Sequence, residues 1–158
     1  MVEYQRKDRY DINDLRDIMS ILRSPQGCPW DREQIHKSIR NDFIEEVYEA
    51  IEAIDLEDTE LLKEELGDVL LQIIFHCRIE EEKSCFDFDD ICDELCKKLI
   101  IRHPHVFGDI TVSDSGEVLK NWDSIKKETK GQTSYTETLT SVAKSLPALM
   151  RAQKVGKR

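Results

Sequence analysis

Glycine and proline are scarce in this sequence, with 6 glycines and 4 prolines among 158 residues. Most of them stand between the stretches of periodic hydrophobicity, and only Gly67 and Gly116 lie within such a stretch. Apolar residues within the stretches recur at spacings of three and four, which is typical of helices, and no segment shows the alternation expected of a β-strand. The sequence therefore predicts an all-α fold.

Long hydrophobic runs are absent as well. No apolar stretch approaches the roughly 18 residues that a membrane-spanning helix needs. The first residues, MVEYQRKDRYDIND, lack the apolar segment of a secretory signal. We therefore expect a cytoplasmic protein that has no membrane partner.

Positive charge is in short supply, because 23 lysines and arginines face 33 aspartates and glutamates, for a net charge of −10. Binding to nucleic-acid polymers or anionic membranes needs a basic surface, so neither is expected. A small polyanion can still bind to an acidic protein if divalent cations lie between them.

The cysteines follow no pairing pattern, since their number is odd and no pair shows C-x-x-C spacing. Reduced, mostly buried thiols are therefore favoured over a disulfide framework or a structural zinc site. The five are Cys28, Cys77, Cys85, Cys92 and Cys96.

Five helices are predicted from the hydrophobic periodicity. The fifth is expected to begin with a capping box formed by Asp114 and Glu117. The third is the most hydrophobic around its circumference, so we expect it to be buried on most sides. The predicted helices cover residues 12–22, 33–54, 60–82, 87–102 and 115–130. The second has one apolar face, formed by Phe43, Ile44, Val47, Ile51 and Ile54.

The stretch from residue 43 to residue 75 holds eleven carboxylates and only one lysine. Glu65 and Asp68 on the third helix are three residues apart, hence about 60° apart around its axis. Their neighbours on the helical wheel include Gln72 and Phe75. Because desolvating a carboxylate is expensive, a partly buried pair of this kind needs a raised pKa or a partner.

Glu46 and Glu49 show the same spacing on the second helix. If the two helices pack as an antiparallel hairpin across the polar segment DLEDTE, the two acidic pairs face each other, and four converging carboxylates suit Mg²⁺ or Mn²⁺. A solvated acidic helix is the alternative, because glutamate is a good helix former. A di-iron site is not favoured, since neither pair has a histidine at the E-x-x-H offset.

Several separate blocks, in the same order, resemble the MazG-type nucleoside triphosphate pyrophosphohydrolases. They are GCPWDREQIHKSI, EEVYEAIEAI, EELGDVLLQIIFHCRIEEE, IIRHPHVFGD and EVLKNWDSIKKE, and the match covers about residues 14–130. The core signature of the family, EExxE followed by ExxD, is matched by Glu45, Glu46 and Glu49 and then by Glu65 and Asp68.

The resemblance implies a bundle of four to five helices, completed by homodimerisation. It implies Mg²⁺-dependent hydrolysis of nucleoside triphosphates to nucleoside monophosphate and pyrophosphate, with Mn²⁺ as a substitute ion. The implied metal ligands are Glu46, Glu49, Glu65 and Asp68. Residues 1–130 would form the MazG-type domain, and residues 131–158 an arm that resembles the start of a linker to a second domain absent from this sequence.

The resemblance also suggests roles for residues outside the four ligands. Glu45 is the candidate for positioning or deprotonating the water that attacks the α-phosphorus, and a solvent-facing glutamate is its alternative. Lys98, Arg102 and Lys126 are candidate phosphate-binding residues, although cations at the end of the fourth helix are favourable without any ligand. Trp122 is the candidate base-binding residue, with a plain core position as its alternative.

Two other functions stay open at this point. One is a narrower enzyme of the same superfamily, such as a dUTPase-like, dCTPase-like or phosphoribosyl-ATP pyrophosphohydrolase. The other is a catalytically weak, metal-binding helical module that dimerises or regulates a partner. The blocks GCPWD and RHPHVFGD favour the general MazG type, and the complete set of four acidic ligands disfavours a module that has lost its activity.

Overall fold

The computed structural model describes residues 4–129, 131 and 134–157. Across these residues the chain forms nine α-helices and no β-strand, which confirms the predicted all-α class. The helices are α1 (Ile12–Leu22), α2 (Pro29–Glu33), α3 (Arg40–Asp55), α4 (Thr59–Glu81), α5 (Phe88–Arg102), α6 (Pro104–Phe107), α7 (Ser115–Thr129), α8 (Tyr135–Thr140) and α9 (Ala148–Gly156).

The chain divides into two compact units, the first ending at Cys92 and the second beginning at Asp93. The predicted domain boundary at residue 130 stays a prediction. Among the helices that the structure describes, none combines the length and the apolar character needed to cross a membrane.

Helix α1 has the bounds that its sequence predicts, because both of its ends are set by local contacts. The Asp11 side chain accepts hydrogen bonds from the backbone N–H groups of Asn13 (2.8 Å) and Asp14 (3.1 Å). The Asp14 side chain accepts one from the N–H of Asp11 in return, which completes a capping box. At the other end, a Cβ on Gly27 would lie 2.1 Å from the carbonyl oxygen of Ile21, so only glycine allows this close turn.

The prediction of a helix over residues 33–54 is wrong for its first turns, because residues 34–39 are not helical and separate α2 from α3. The buried Arg23 guanidinium donates to the carbonyl oxygens of Asp31 (2.5 Å) and Gln34 (3.1 Å). The Ser38 hydroxyl exchanges two hydrogen bonds with the backbone of Ile35, each 2.9 Å long. Side chains therefore provide hydrogen bonds that the backbone would otherwise make within a helix.

Helices α3 and α4 form the centre of the first unit. They pack along each other and are joined by only three residues, 56–58, so they make an antiparallel hairpin. Asp58 begins α4 by accepting hydrogen bonds from the N–H groups of Glu60 and Leu61, both 3.1 Å. Helix α1 packs against α4. The core between these elements consists of Met19, Ile39, Ile74, Phe75 and Ile79.

The buried side of α3 is not its most hydrophobic side. Ala50 and Ala53 are buried, whereas the predicted apolar face is exposed except for the half-buried Phe43. Small alanines allow the backbones of two helices to approach closely, which favours this face for contact with α4. The prediction that α4 is buried on most sides holds for its second half and fails at Leu66, which is 53% exposed. The exposed residues of the α3 face are Ile44, Val47, Ile51 and Ile54, and the equally exposed Tyr48 lies beside them.

The second unit contains the predicted fifth helix, here α7. The N–H of Glu117 donates to the Asp114 side chain (2.9 Å), as expected for a capping aspartate. The Glu117 carboxylate accepts from the N–H and the hydroxyl of Ser113 instead of closing the box on Asp114, so that part of the prediction is wrong. Lys130, the predicted last residue of this helix, lies outside the described residues.

Candidate active site

The acidic residues of α3 lie on the side that packs against α4. At about 100° per residue, Glu46 lies about 40° from Ala50 around the helix axis, and Glu49 lies about 40° from Ala53. The two alanines are buried against the neighbouring helix. The same close approach therefore carries both glutamates toward α4, as the hairpin prediction requires.

Three carboxylates converge across the hairpin. Glu46, Glu49 and Glu65 each offer one oxygen, and these three oxygens lie within 4.8 Å of one another. Glu65 is buried, Glu46 is half-buried and Glu49 is exposed, so the cluster opens from the protein interior toward solvent. We call these three residues, together with the half-buried Asp68, the carboxylate cluster.

The electrostatics of the carboxylate cluster reflect its crowding. Desolvation raises the pKa of Glu46, and the negative charge of Asp68, followed by those of Glu49 and Glu65, raises it further. Desolvation also raises the pKa of Glu65, with Glu49 and Asp68 as the next causes. Asp68 thus acts on both glutamates although it is outside the group of three closest oxygens.

A divalent cation fits this arrangement of donors. All four side chains offer carboxylate oxygens, which are the ligands that hard cations prefer. Desolvation, followed by the charges of neighbouring carboxylates, raises the pKa of both Glu46 and Glu65. A cation bound there would relieve the repulsion between them.

Glu45 lies apart from the three converging oxygens. Its side chain is exposed on α3, about 100° around the helix axis from Glu46. Its candidate role in handling the attacking water stays a prediction.

The remaining predicted site residues belong to the second unit. The Arg102 guanidinium lies 5.3 Å from the centre of the Trp122 ring, and the His103 ring lies 4.9 Å from it. Trp122 is half-buried, so it is neither a fully buried core residue nor a fully exposed one. The Nε atom of Arg102 is buried and has no hydrogen-bond partner within residues 4–129, 131 and 134–157. This group is therefore a donor that an anion could use.

Lys98 lines an open cavity of about 330 Å³ in the second unit, together with Lys97 and Arg102. Lys97 is paired with Asp93. Lys126 lies on α7, one helical turn after Trp122, and is half-buried. The second unit therefore brings Arg102 next to Trp122 and places Lys98 and Arg102 on one cavity, which is consistent with the predicted binding roles.

A line of polar residues runs along α4, and the sequence analysis identified its first three members but not its last two. Glu65, Asp68, Gln72, His76 and Glu80 follow one another at spacings of three or four, which places them within about 120° around the helix axis. We call this line the α4 polar stripe. The spacing of the stripe is visible in the sequence, but the apolar residues on both sides of it favoured the interpretation of α4 as a core helix.

The C-terminal end of the α4 polar stripe contacts the segment that precedes α3, through His36. The Nδ1 atoms of His36 and His76 are 2.7 Å apart, and Nε2 of His36 contacts the carboxylate of Glu80. The ammonium group of Lys83 donates to the same carboxylate at 2.6 Å. The ring of Phe43 lies 5.5 Å from that of His76, so these contacts reach α3 as well.

The fold and the carboxylate cluster define an all-helical, carboxylate-rich hairpin domain. Residues 34–107 match the family described as the MazG nucleotide pyrophosphohydrolase domain. The match of residues 34–107 to this family confirms the resemblance seen in the sequence.

Several curated proteins are similar over nearly the whole chain. One is the Bacillus subtilis protein YabN, described as uncharacterised, at 48% identity over 94% of this chain and 30% of that protein. Another is the Escherichia coli K12 nucleoside triphosphate pyrophosphohydrolase, at 47% identity over 93% of this chain and 56% of that protein. The chain therefore spans between about one third and just over half of the length of these relatives.

Among solved structures, the crystal structure of a MazG-related protein from Thermotoga maritima is similar to this chain. The TM-score is 0.61 at 25% sequence identity, over 73% of this chain and 99% of that protein. The similarity supports the same helical fold.

Proposed function

We propose that this protein hydrolyses nucleoside triphosphates to nucleoside monophosphate and pyrophosphate in a reaction that depends on Mg²⁺. The observation that carries the proposal is the convergence of Glu46, Glu49 and Glu65 within 4.8 Å, next to Asp68. The name of the E. coli relative, nucleoside triphosphate pyrophosphohydrolase, supports the same activity. A nucleoside triphosphate carries about four negative charges, so an acidic protein needs cations to hold it.

In the proposed mechanism, Glu46, Glu49, Glu65 and Asp68 would hold Mg²⁺. When bound, Mg²⁺ neutralises phosphate charge and makes a coordinated water easier to deprotonate. Glu45, exposed and next to Glu46 in the chain, would accept the proton from the water that attacks the α-phosphorus. The α-phosphorus–oxygen bond to the pyrophosphate group then breaks, and pyrophosphate leaves with the bonding electrons.

The second unit by itself offers candidate nucleotide-binding residues. Lys98, Arg102 and Lys126 would contact phosphate oxygens, for which the planar guanidinium of Arg102 is well suited. The unpartnered Nε of Arg102 and its position over the Trp122 ring support this role. Trp122 would stack on the nucleotide base, since one aromatic face suits any base.

The proposed active form is a homodimer. The apolar face of α3 is exposed, with Tyr48 beside it, and contiguous exposed apolar residues commonly mark a protein–protein interface. This surface occurs on the same helix as Glu46 and Glu49, so pairing with a second copy would also order the active site. Ile51→Glu should convert the protein to monomers in light scattering. Glu52→Gln, which alters another exposed side chain of the same helix, should leave the dimer intact.

The test of the activity is the release of pyrophosphate from a panel of nucleoside triphosphates and deoxynucleoside triphosphates, with Mg²⁺ and with EDTA. Nucleoside monophosphate together with pyrophosphate, formed only with Mg²⁺, would establish cleavage at the α-phosphorus. Nucleoside diphosphate together with inorganic phosphate would contradict the proposed reaction. Folded protein that binds nucleotide but releases neither product would favour the regulatory-module alternative.

A further inference from the structure

Gln72 is a buried polar residue whose amide oxygen has no hydrogen-bond partner among the residues that the structure describes. The residue is only 7% exposed, and its Oε1 atom is buried without a hydrogen bond. A buried acceptor left unsatisfied destabilises a folded chain, because the hydrogen bonds that it makes to water in the unfolded state are lost. An apolar residue of the same shape would avoid this penalty at this position.

The position of Gln72 relates it to the carboxylate cluster. On α4 it follows Asp68 by four residues and Glu65 by seven. It therefore lies within about 40° of both around the helix axis, and about 6 Å from Asp68 along it. The next residue of the α4 polar stripe, His76, already uses its Nδ1 atom in the contact with His36. Gln72 thus lies between the carboxylate cluster and the histidine pair.

The carboxylate cluster offers no hydrogen-bond donor to Gln72. The ionised side chains of Glu65 and Asp68, and of Glu46 and Glu49 opposite, are acceptors only, and so is the Oε1 atom of Gln72. A second acceptor cannot satisfy Oε1. The hydration water of a divalent cation is the complementary group, because its lone pair points to the cation and both of its protons are available to donate.

We infer that Gln72 is a positioning residue of the active site, whose Oε1 accepts a hydrogen bond from a hydration water of the divalent cation held by the carboxylate cluster. This inference rests on the proposed function. When a residue that hydrogen-bonds to the ligand shell of a bound metal is replaced, the affinity of the protein for that metal commonly falls by about 10-fold to 100-fold. The unpaired acceptor of the cation-free protein is then explained by a partner that arrives with the cation.

Gln72→Met tests the inference, because methionine is nearly isosteric with glutamine and lacks the acceptor oxygen. Leu71→Met is the matched control, since it introduces the same side chain one residue away on another face of α4. Two quantities are measured for the full chain, namely the dissociation constant for Mn²⁺ by calorimetry and the melting temperature in EDTA.

Gln72→Met should weaken Mn²⁺ binding by about tenfold or more and should raise the melting temperature in EDTA. Leu71→Met should leave the Mn²⁺ affinity unchanged. The positioning role would be overturned if Gln72→Met bound Mn²⁺ as tightly as the parent protein. It would also be overturned if Gln72→Met melted at a lower temperature than the parent in EDTA. Failure of the parent protein itself to bind Mn²⁺ would overturn the proposed metal site instead, so the two failures are distinguishable.

Discussion

Glu49 on α3 and Glu65 on α4 bring carboxylate oxygens within 4.8 Å of each other, although sixteen residues separate them in the chain. One is exposed and the other is buried. The contact exists because α3 turns its small residues, Ala50 and Ala53, toward α4. The close packing of α3 on α4 is favourable, but it also brings like charges together, which is unfavourable. Such a crowding of like charges is typical of a functional site.

The first prediction concerns the proposed metal ligands. Glu49→Gln and Asp68→Asn should each lower kcat/KM for nucleoside triphosphates by more than about 100-fold, because each removes a negative ligand from the cation. Circular dichroism should show unchanged helix content. Glu52→Gln is the matched control on α3, and it should retain the activity of the parent. Full activity in both ligand variants would refute the assignment of the site.

The second prediction concerns the stability of the cation-free protein. The pKa of Glu65 is raised because its charge is desolvated and faces Glu49 and Asp68, so the ionised form destabilises the fold at neutral pH. Glu65→Gln should therefore melt at a higher temperature than the parent in EDTA. With excess Mg²⁺ the order should reverse, since only the parent gains stability from the bound ion. Thermal melts with and without Mg²⁺ measure both effects, and a lower melting temperature for Glu65→Gln in EDTA would contradict this account.

The third prediction is a pH dependence that arises at the far end of the α4 polar stripe. The hydrogen bond from Lys83, followed by the contact with His36, lowers the pKa of Glu80 from 4.5 to about 2. A lowered pKa in the folded state means that the contribution of Glu80 is present above pH 4.5 and is lost as the pH falls toward 2.

Glu80→Gln should consequently melt below the parent at pH 7, and the difference between the two should shrink between pH 4.5 and pH 2. Thermal melts across this range provide the measurement. The matched control is Glu60→Gln on the same helix, whose exposed side chain makes only a long ion pair of 3.6 Å with Lys63. A difference between Glu80→Gln and the parent that stays constant with pH would show that Glu80 acts through packing and not through its charge.

The fourth prediction concerns Arg23, which is buried and connects three elements. It donates to Glu82 at 2.9 and 2.8 Å and to the carbonyl oxygens of Asp31 and Gln34. Arg23→Met should lower the free energy of unfolding by about 3 kcal/mol, because two carbonyl oxygens lose this donor and Glu82 keeps only its contact with Arg78. Urea denaturation measures this loss, and Arg40→Met, which changes an exposed arginine, should cost less than about 0.5 kcal/mol.

Much of the local structure could be predicted from the sequence. The ends of α1 follow from Asp11 and Asp14 within one turn and from Gly27 beyond its last residue. The pairing of Glu46 with Glu49, and of Glu65 with Asp68, follows from the period of the helix alone. These features depend on residues close together in the chain, whose geometry is determined by backbone hydrogen bonding.

Other features were decided by tertiary contacts. Residues 34–39 leave the helix because Arg23 and His36, through partners distant in sequence, hold this segment against α4. Which face of α3 is buried was likewise undetermined, since periodicity identifies an apolar face but not its neighbour. The structure buries the side with Ala50 because small side chains permit the closest approach to α4. That choice brings Glu46, Glu49 and Glu65 together. The sequence therefore determined the spacing of the carboxylates, and the tertiary structure determined which of them converge.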